Sequence, residues 1–267
     1  MSFQIDENTL VRFCEEPGVT EARIPKNVKI IGQQAFSGCK GLKRVIIPNT
    51  VTEIRDGAFM GCESLEELTL PEGIERTGFG MLIGCVSLSR LNVPKGYGGI
   101  YYEDISDTKL FKENKDPLMI IGTSLIKCSK ETVDAQIPEG VTKISSFAFD
   151  ECDKLKRVTI PKSVTVIGNC AFSGCSGLEE INVAEGFDKL SVNDVRETKW
   201  YKDQKGDFVI LGGVLLEYRG KGESAAVPEG VVWIQRDAFK GCKGLREVAL
   251  PKTLCMSGFD IREITHY

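Results

Sequence analysis

Cysteine is the residue type in this 267-residue chain whose number and spacing could support chemistry. Six of the ten cysteines recur at one repeat position, a constant distance after a hydrophobic-Pro pair, as Cys62 follows Pro48. If one interval forms one coil of a stack, neighbouring members of this set come about 5 Å apart. That spacing is within the Cα range of a disulfide and would also suit a row of metal ligands. The six are Cys39, Cys62, Cys85, Cys152, Cys175 and Cys242.

Packing is the interpretation of these cysteines that we favour. Equivalent side chains of stacked coils point the same way, into the core, and the chain has no C-x-x-C pair. The other four, Cys14, Cys128, Cys170 and Cys255, share no position. We therefore predict a structural cysteine ladder, in which small buried side chains bring their thiols to backbone polar groups. A disulfide or metal ladder remains the alternative, and many unpaired thiols favour a reducing compartment.

The other residue types exclude several classes of protein. His266 is the one histidine, which argues against His-based acid–base catalysis and a His-rich metal site. With 34 Lys+Arg against 38 Asp+Glu, the net charge of −4 offers no basic attraction for nucleic acid or an anionic membrane. The glycine-rich stretches at 96–99 and 220–222 lack the lysine and hydroxyl residue of a phosphate loop. We predict no catalytic residue, no cofactor and no metal site.

Internal repeats organise the chain. Hydrophobic-Pro pairs recur at one constant interval, which separates Pro25 from Pro48 and Pro138 from Pro161. A fixed period of this length is typical of a solenoid, in which each unit buries its apolar face against its neighbours.

Two longer gaps of equal length interrupt the repeats, from Pro94 to Pro138 and from Ala184 to Pro228. The two gaps align when the first is moved along the sequence by the distance from Pro138 to Pro228. We call this displacement the duplication shift. Under it, Asp104, Thr108 and Lys109 recur as Asp194, Thr198 and Lys199. The gaps are therefore variant repeats that arose with the duplication of a larger unit.

About six units carry the same spaced set of residue types, and the third departs from it with Met81-Leu82 in place of Ala-Phe. Val45 alternates with Arg44 in a short predicted strand that a proline ends. A turn and a brief helical turn with an inward Ala-Phe pair are predicted to follow, then a glycine and the ladder cysteine. One complete set is Ile47-Pro48, Val51, Ile54, Ala58-Phe59, Cys62, Leu65 and Leu68.

This set resembles the BspA-like branch of the leucine-rich repeat superfamily over about residues 24–251. The resemblance implies an α/β solenoid: a right-handed coil of units of about 23 residues, with a parallel β-sheet on one face and short helical turns and loops opposite. It also implies a binding or adhesion module without enzymatic activity.

We predict a single solenoid over residues 1–267. An opening strand or hairpin occupies 1–23, and similar segments at Leu118–Ile126 and Phe208–Leu216 open later runs of coils. The remaining boundaries are regular repeats at 24–94 and 137–183, variant repeats at 95–136 and 184–226, and a last repeat with a C-terminal cap at 227–267. The two variant stretches are called variant segments below.

Charged residues alternate along the outward face of the predicted sheet. Side by side in a parallel sheet, they form either a ligand face or a row of cross-strand ion pairs, and we favour the ion pairs. The residues are Arg44, Glu67, Arg90, Arg157 and Glu180.

Aromatic residues outside the repeat positions are the other candidate surface. Tyr97, Tyr101 and Tyr102 lie in the first variant segment, and Trp200-Tyr201 lies in the second. Exposed aromatics favour interfaces, but the interpretation that we favour for both groups is a local satellite core under the longer loop, and the tyrosines are the better interface candidates.

The resulting hypothesis is a noncatalytic module that binds a protein or a glycan, without nucleic acid, without membrane insertion, and as a monomer. The N-terminus lacks the pattern of a secretory signal, so the sequence as written favours the cytoplasm. A cell-surface location would follow if a signal had been removed, and the alternative function is then an exported adhesion or structural repeat protein. A hydrolase hidden in the variant segments is a third, weaker hypothesis.

Overall fold

The computed structural model describes residues 2–254 of the chain. The chain divides into two compact units, Met1–Lys127 and Cys128–Tyr267, and each is described by itself. The single-domain prediction stays a prediction. The predicted cap after Leu254, with Cys255 and His266, lies outside the described residues.

The first unit contains short strands and two short helices. They are β1 (Ser2–Asp6), β2 (Thr9–Cys14), β3 (Glu21–Arg23), β4 (Ile30–Ile31), β5 (Arg44–Ile46), β6 (Glu53–Ile54), β7 (Glu67–Thr69), β8 (Arg76–Thr77), β9 (Arg90–Asn92), α1 (Tyr102–Ile105), α2 (Lys109–Lys112), β10 (Leu118–Ile121) and β11 (Ser124–Cys128).

The second unit also contains short strands and two short helices. Its elements are β12 (Asp134–Gln136), β13 (Lys143–Ile144), β14 (Arg157–Thr159), β15 (Val166–Ile167), β16 (Glu180–Asn182), α3 (Val192–Val195), α4 (Lys199–Lys202), β17 (Phe208–Leu211), β18 (Val214–Tyr218), β19 (Ser224–Ala226), β20 (Trp233–Ile234) and β21 (Glu247–Ala249).

Each regular coil has two strands, and each strand belongs to a different parallel sheet. In the first unit, β3-β5-β7-β9 form one sheet and β2-β4-β6-β8 form the other. The register advances by one repeat, so that Arg44 lies opposite Glu67 and Ile31 opposite Ile54. The prediction of a sheet on one face is therefore incomplete, because strands as short as β4 and β6 cannot be recognised from apolar alternation.

The Ala-Phe stretch forms turns and not the predicted helical turn. Ala35 donates its backbone N–H to Gly32 in its own coil, at 3.2 Å, whereas Phe36 donates to Ala58 of the next coil, at 2.8 Å. This alternation between coils replaces the i to i−4 pattern of a helix. Among the described residues, helices occur only in the variant segments, so the coils are built mainly of strands and turns.

Aromatic rings form the centre of the core in each unit. Phe36 stacks on Phe59 with ring centroids 5.1 Å apart, and Phe149 stacks on Phe172 at 4.8 Å. Both pairs are fully buried. Rings at one repeat position pack face to face because the coils are in register, and such offset stacks add to the stability that burial provides.

The predicted opening segments are β-hairpins. β1 pairs antiparallel with β2, and β17 pairs antiparallel with β18. β10 and β11 form the corresponding neighbouring pair. No helix within residues 2–254 is long and apolar enough to cross a membrane.

One repeat position requires the left-handed backbone conformation. Gly38, Gly61, Gly84 and Gly174 hold φ of 75°, 73°, 79° and 67°, and Glu151 holds 55° at the same position. An L-residue is disfavoured there by its own Cβ, whatever the surrounding space.

We predict that Gly61→Ala lowers the free energy of unfolding by about 1 to 2 kcal/mol. An added Cβ at Gly61 would meet no atom closer than 3.7 Å, so the cost comes from the backbone and not from a clash. The control is Gly73→Ala, where the nearest atom lies at 3.5 Å and φ is outside the left-handed region. Urea denaturation of both variants checks this, and equal stability of the two would contradict it.

Candidate functional site

The six ladder cysteines lie along the inside of the coils. Cys152 and Cys175 occupy equivalent places in neighbouring coils of the second unit, as Cys62 and Cys85 do in the first. The first five members are buried and the last is partly exposed: Cys39, Cys62, Cys85, Cys152, Cys175 and Cys242.

Two thiols of the first unit donate hydrogen bonds to backbone carbonyls of the preceding coil. Cys62 Sγ lies 3.1 Å from the carbonyl oxygen of Phe36, and Cys85 Sγ lies 3.2 Å from that of Phe59. The Phe59 carbonyl also accepts the backbone N–H of Cys62, at 3.1 Å. The thiol therefore supplies the second donor to a buried carbonyl, in addition to filling space.

The same bond recurs in the second unit, where Cys175 Sγ lies 3.0 Å from the carbonyl oxygen of Phe149. Burial raises the pKa of the Cys85 and Cys175 thiols to about 12, so both are protonated at neutral pH. Every cysteine among residues 2–254 is a free thiol. In the same residues no group of three or more His, Cys, Asp or Glu side chains could hold a metal ion.

Charged side chains form a continuous row across the β3-β5-β7-β9 sheet of the first unit, called its outer sheet below. Arg44 lies 3.9 Å from Glu21 and 3.8 Å from Glu67, and Glu67 lies 3.1 Å from Arg90. These residues stand opposite one another in the strand register. Each exposed pair contributes under about 1 kcal/mol, and together the pairs match the register of neighbouring coils.

The second unit carries a corresponding row. Arg157 lies 2.9 Å from Asp134 and 2.6 Å from Glu180. Hydrogen bonds from Arg157 and Asn182 lower the pKa of Glu180. The candidate charged residues of both units are thus brought together as partners of one another, which agrees with the ion-pair interpretation. A ligand on this face stays a prediction.

The three candidate tyrosines have different environments. Tyr97 is half-buried, and its hydroxyl donates to Thr77 Oγ1 at 2.8 Å. Tyr102 packs edge-on against Phe111, with ring centroids 5.3 Å apart. These two tyrosines belong in part to a satellite core, whereas Tyr101 is 40% exposed.

The family comparison agrees with this geometry. The model of the BspA type leucine rich repeat region matches residues 10–112, 110–199 and 217–260, with six copies. The chain belongs to the BspA-type leucine-rich repeat family. The family prediction made from the spaced residues is therefore confirmed.

Solved structures with the same type of repeat are distant in sequence. A leucine rich cell surface protein from Faecalibacterium prausnitzii is 23% identical, with a TM-score of 0.34 and coverage of 92% of this chain and 62% of that protein. A leucine rich repeat protein from T. pallidum is 20% identical, with a TM-score of 0.32 and coverage of 91% and 75%. This chain thus spans less than two thirds of the first of these proteins. None of the curated proteins matches it.

A buried carboxylate joins the last regular BspA-type coil of the first unit to the variant segment. Asp104 is fully buried, and it accepts the backbone N–H groups of Met81 at 3.1 Å and Tyr101 at 3.0 Å. Gly57 donates its backbone N–H to the Phe79 carbonyl of the next coil at 3.0 Å. Ala58 donates its backbone N–H to Arg55 in its own coil at 3.2 Å, whereas Met81, one repeat after Ala58, donates to the Asp104 side chain. Asp104 thus supplies an acceptor where the backbone has left the regular path.

Sequence reasoning noted that Asp104 recurs as Asp194 but did not assign this role. The signal was present in the spacing, because Asp104 follows Met81 by one repeat. Asp107 follows Gly84 by the same interval, and its Oδ2 accepts the backbone N–H of Gly84 at 2.8 Å. A carboxylate one period after a coil's turn therefore marks a junction.

The corresponding carboxylate of the second unit, Asp194, has a side-chain donor. The hydroxyl and the backbone N–H of Ser191 both donate to Asp194 Oδ2, at 2.6 and 2.8 Å. Tyr101 takes the place of Ser191 in the first unit. The first unit therefore has an exposed ring where the second has a hydroxyl that binds its carboxylate.

The Trp200-Tyr201 pair contacts residues of its own unit. Tyr201 donates its hydroxyl to Glu217 Oε2 at 2.5 Å, and the Arg219 guanidinium lies 4.2 Å from the centroid of the Tyr201 ring. Both members of the pair are only partly exposed. This arrangement favours the satellite-core alternative for the pair.

We predict that native thiols react in two classes. Cys170 is exposed and is expected to be alkylated readily by iodoacetamide at mildly alkaline pH, whereas Cys62, Cys85 and Cys175 react only after denaturation. The physical reason is that burial blocks access to these three thiols and helps to keep them protonated. Peptide mapping by mass spectrometry measures the order, and rapid alkylation or oxidation of Cys62, Cys85 or Cys175 in the native protein would contradict it.

We predict that Asp104 weakens the fold as the pH rises. Burial raises the pKa of Asp104 to about 6 from an ordinary value of 3.8, so its contribution to stability is complete below pH 3.8 and is lost as the pH rises to about 6 and beyond. Relative to Asp104→Asn, the wild type should lose up to about 3 kcal/mol of unfolding free energy over that interval.

Urea denaturation of the wild type and Asp104→Asn across this pH range gives the difference. Asp194→Asn is the matched variant, since it removes the corresponding carboxylate from the second unit. A difference between the wild type and Asp104→Asn that does not change with pH would refute the prediction.

Proposed function

We propose that this chain is a noncatalytic repeat module that binds a partner protein through exposed apolar side chains at the end of its first run of regular coils. Phe79, Val86 and Tyr101 are 60%, 45% and 40% exposed. Burying such side chains against a partner is favourable, and aromatic residues are enriched at the centres of interfaces.

The internal duplication supplies the observation that carries this proposal. After the duplication shift, the second unit has polar residues at all three places, and the same arrangement of elements forms around them. The fold therefore does not require apolar residues there. The counterparts are Asn169, Ser176 and Ser191.

The three side chains lie along one junction. Phe79 and Val86 belong to the last regular coil, and Tyr101 belongs to the variant segment that follows. Lys109 donates its backbone N–H to the Val86 carbonyl at 3.1 Å, and Asp104 connects the coil to the backbone of Tyr101. The partner would thus contact a surface that hydrogen bonds between coils hold in place, which lowers the ordering cost of binding.

The charged rows of the outer sheets are the weaker candidate for this role. Arg44, Glu67 and Arg90 already neutralise one another, so a partner would have to replace existing ion pairs. We accordingly assign binding to the junction and register to the charged rows. We also propose that the coil is right-handed and that the chain is a monomer. The free thiols favour a reducing compartment.

Photo-crosslinking tests the proposal. A benzophenone amino acid at position 101 should trap a protein in an extract of the source organism, whereas the same group at position 191 should not. With the trapped protein purified, the triple variant Phe79→Asn, Val86→Ser and Tyr101→Ser should bind at least about tenfold more weakly than wild type. These substitutions copy the second unit, so folding should be retained.

Three results would overturn the proposal. They are equal crosslinking at positions 101 and 191, unchanged affinity of the triple variant, and capture of glycans on an array in place of a protein. An exported adhesion protein, the alternative function, would instead show oxidised cysteines when isolated from its cell.

A further inference from the structure

The three hairpins of the chain define one equivalent position. Phe13, Cys128 and Tyr218 each donate their backbone N–H, at 2.7 Å, to the alanine of the following coil's Ala-Phe pair. The preceding residues therefore correspond to one another. They are Arg12, Lys127 and Glu217, and before them Val11, Ile126 and Leu216.

In the second and third hairpins the residue at this position contacts an aromatic side chain. Lys127 Nζ lies 4.6 Å from the centroid of the Phe111 ring. Glu217 accepts the hydroxyl of Tyr201, which is the counterpart of Phe111 under the duplication shift. Both rings are carried by short helices, α2 and α4. A cation–π contact in one case and a hydrogen bond in the other therefore hold a short helix against the hairpin.

The third hairpin has a further contact with its segment. Arg219 Nη1 donates to the backbone carbonyl of Gln204 at 3.1 Å, while its guanidinium lies over the Tyr201 ring. Arg219 corresponds to Cys14 in the first hairpin. The residues at these two outward places, Glu217 and Arg219, thus form a small docking face for an aromatic-bearing turn.

The corresponding face of the first hairpin is open. Val11 is 49% exposed, whereas Ile126 and Leu216 are 0% and 1% exposed. A cavity of about 690 Å³ lies beside it, with Arg12, Cys14, Gln33 and Gln34 among its lining residues. This volume is within the range of ligand-binding cavities.

We propose that the first hairpin binds an aromatic-bearing helical turn of a partner polypeptide, with the ring over Arg12. Arg12 has the charge of Lys127, and a guanidinium binds the face of an aromatic ring at least as well as an ammonium does. The expected segment therefore resembles residues 108–112, Thr-Lys-Leu-Phe-Lys, more than the tyrosine-bearing residues 198–202.

A second copy of this chain is a poor source for that segment. Phe111 already packs between Tyr102 and Lys127, and Tyr201 is already bonded to Glu217. If a second copy placed either ring on the first hairpin, that ring would lose its contacts in its own chain, and the surface that it covers there would be exposed to solvent. We assign the site to a different polypeptide that carries the same pattern.

Peptide binding to the whole protein tests this assignment. The probe is a fluorescein-labelled peptide of residues 104–115, titrated with protein and followed by fluorescence anisotropy. We expect saturable binding that Arg12→Glu weakens at least about fivefold, the loss of one cation–π contact. Lys26→Glu, the same charge change at an exposed residue outside the cavity lining, should leave affinity within about twofold.

A second peptide sharpens the test. Arg12→Glu makes the first hairpin resemble the third, so this variant should gain relative affinity for a peptide of residues 194–205, whose tyrosine can donate to the new carboxylate. If Arg12→Glu fails to fold by circular dichroism, the 104–115 peptide with Phe111→Ala probes the same contact from the other side and should bind at least about fivefold more weakly to the wild type.

Several results would overturn the proposal. They are no binding at millimolar protein, affinity that neither Arg12→Glu nor Phe111→Ala changes, and wild-type self-association in sedimentation that Val11→Asp abolishes. The last result would assign the face to a second copy. None of these measurements involves Phe79, Val86 or Tyr101, so the outcome is independent of the proposed function.

Discussion

The backbone hydrogen bonds between successive coils are the interaction on which the rest of this structure depends. Phe36 donates to Ala58 and Gly38 to Met60, while the residue between them bonds within its own coil. Every coil therefore needs a neighbour one repeat further along the chain. Where the backbone departs from that path, another acceptor must take its place, because a buried N–H without a partner is costly. The side chains of Asp104 and Asp107 supply acceptors at such a place.

Register between coils fixes the direction of every side chain at a given repeat position. Phenylalanines stack on phenylalanines, and ladder thiols reach carbonyls beside the ring of the preceding coil. On the outer sheet the same register would place like charges side by side if each coil had the same sequence. The alternation of Arg44, Glu67 and Arg90 avoids that repulsion, which is a sufficient physical reason for the pattern without a ligand.

Residue types that recur at the same repeat position made most of the fold predictable from the sequence. Very short strands and contacts made by individual residues were not predicted. The cysteine position, the buried Ala-Phe pairs, the strand at Arg44 and the opening hairpins all belong to the first group. The second sheet escaped prediction because two residues cannot show a period of two. The partial burial of Tyr97 and Tyr102 agrees with the predicted satellite core, but their partners, Thr77 and Phe111, could not be identified because no short-range pattern connects them.

The duplication also separates what the fold requires from what it permits. Thr108 and Thr198 are the same residue, and each accepts the backbone N–H three residues later at the start of its helix, so the helix start requires that hydroxyl. Phe111 with Lys127 and Tyr201 with Glu217 differ in both members, yet each pair remains in contact. A pair that changes both members and keeps its contact implies that the contact matters more than either residue type. Arg12 is the third version of that position, and its side chain lines a cavity where the other two meet a ring, so the same reasoning leads to a ring from another polypeptide.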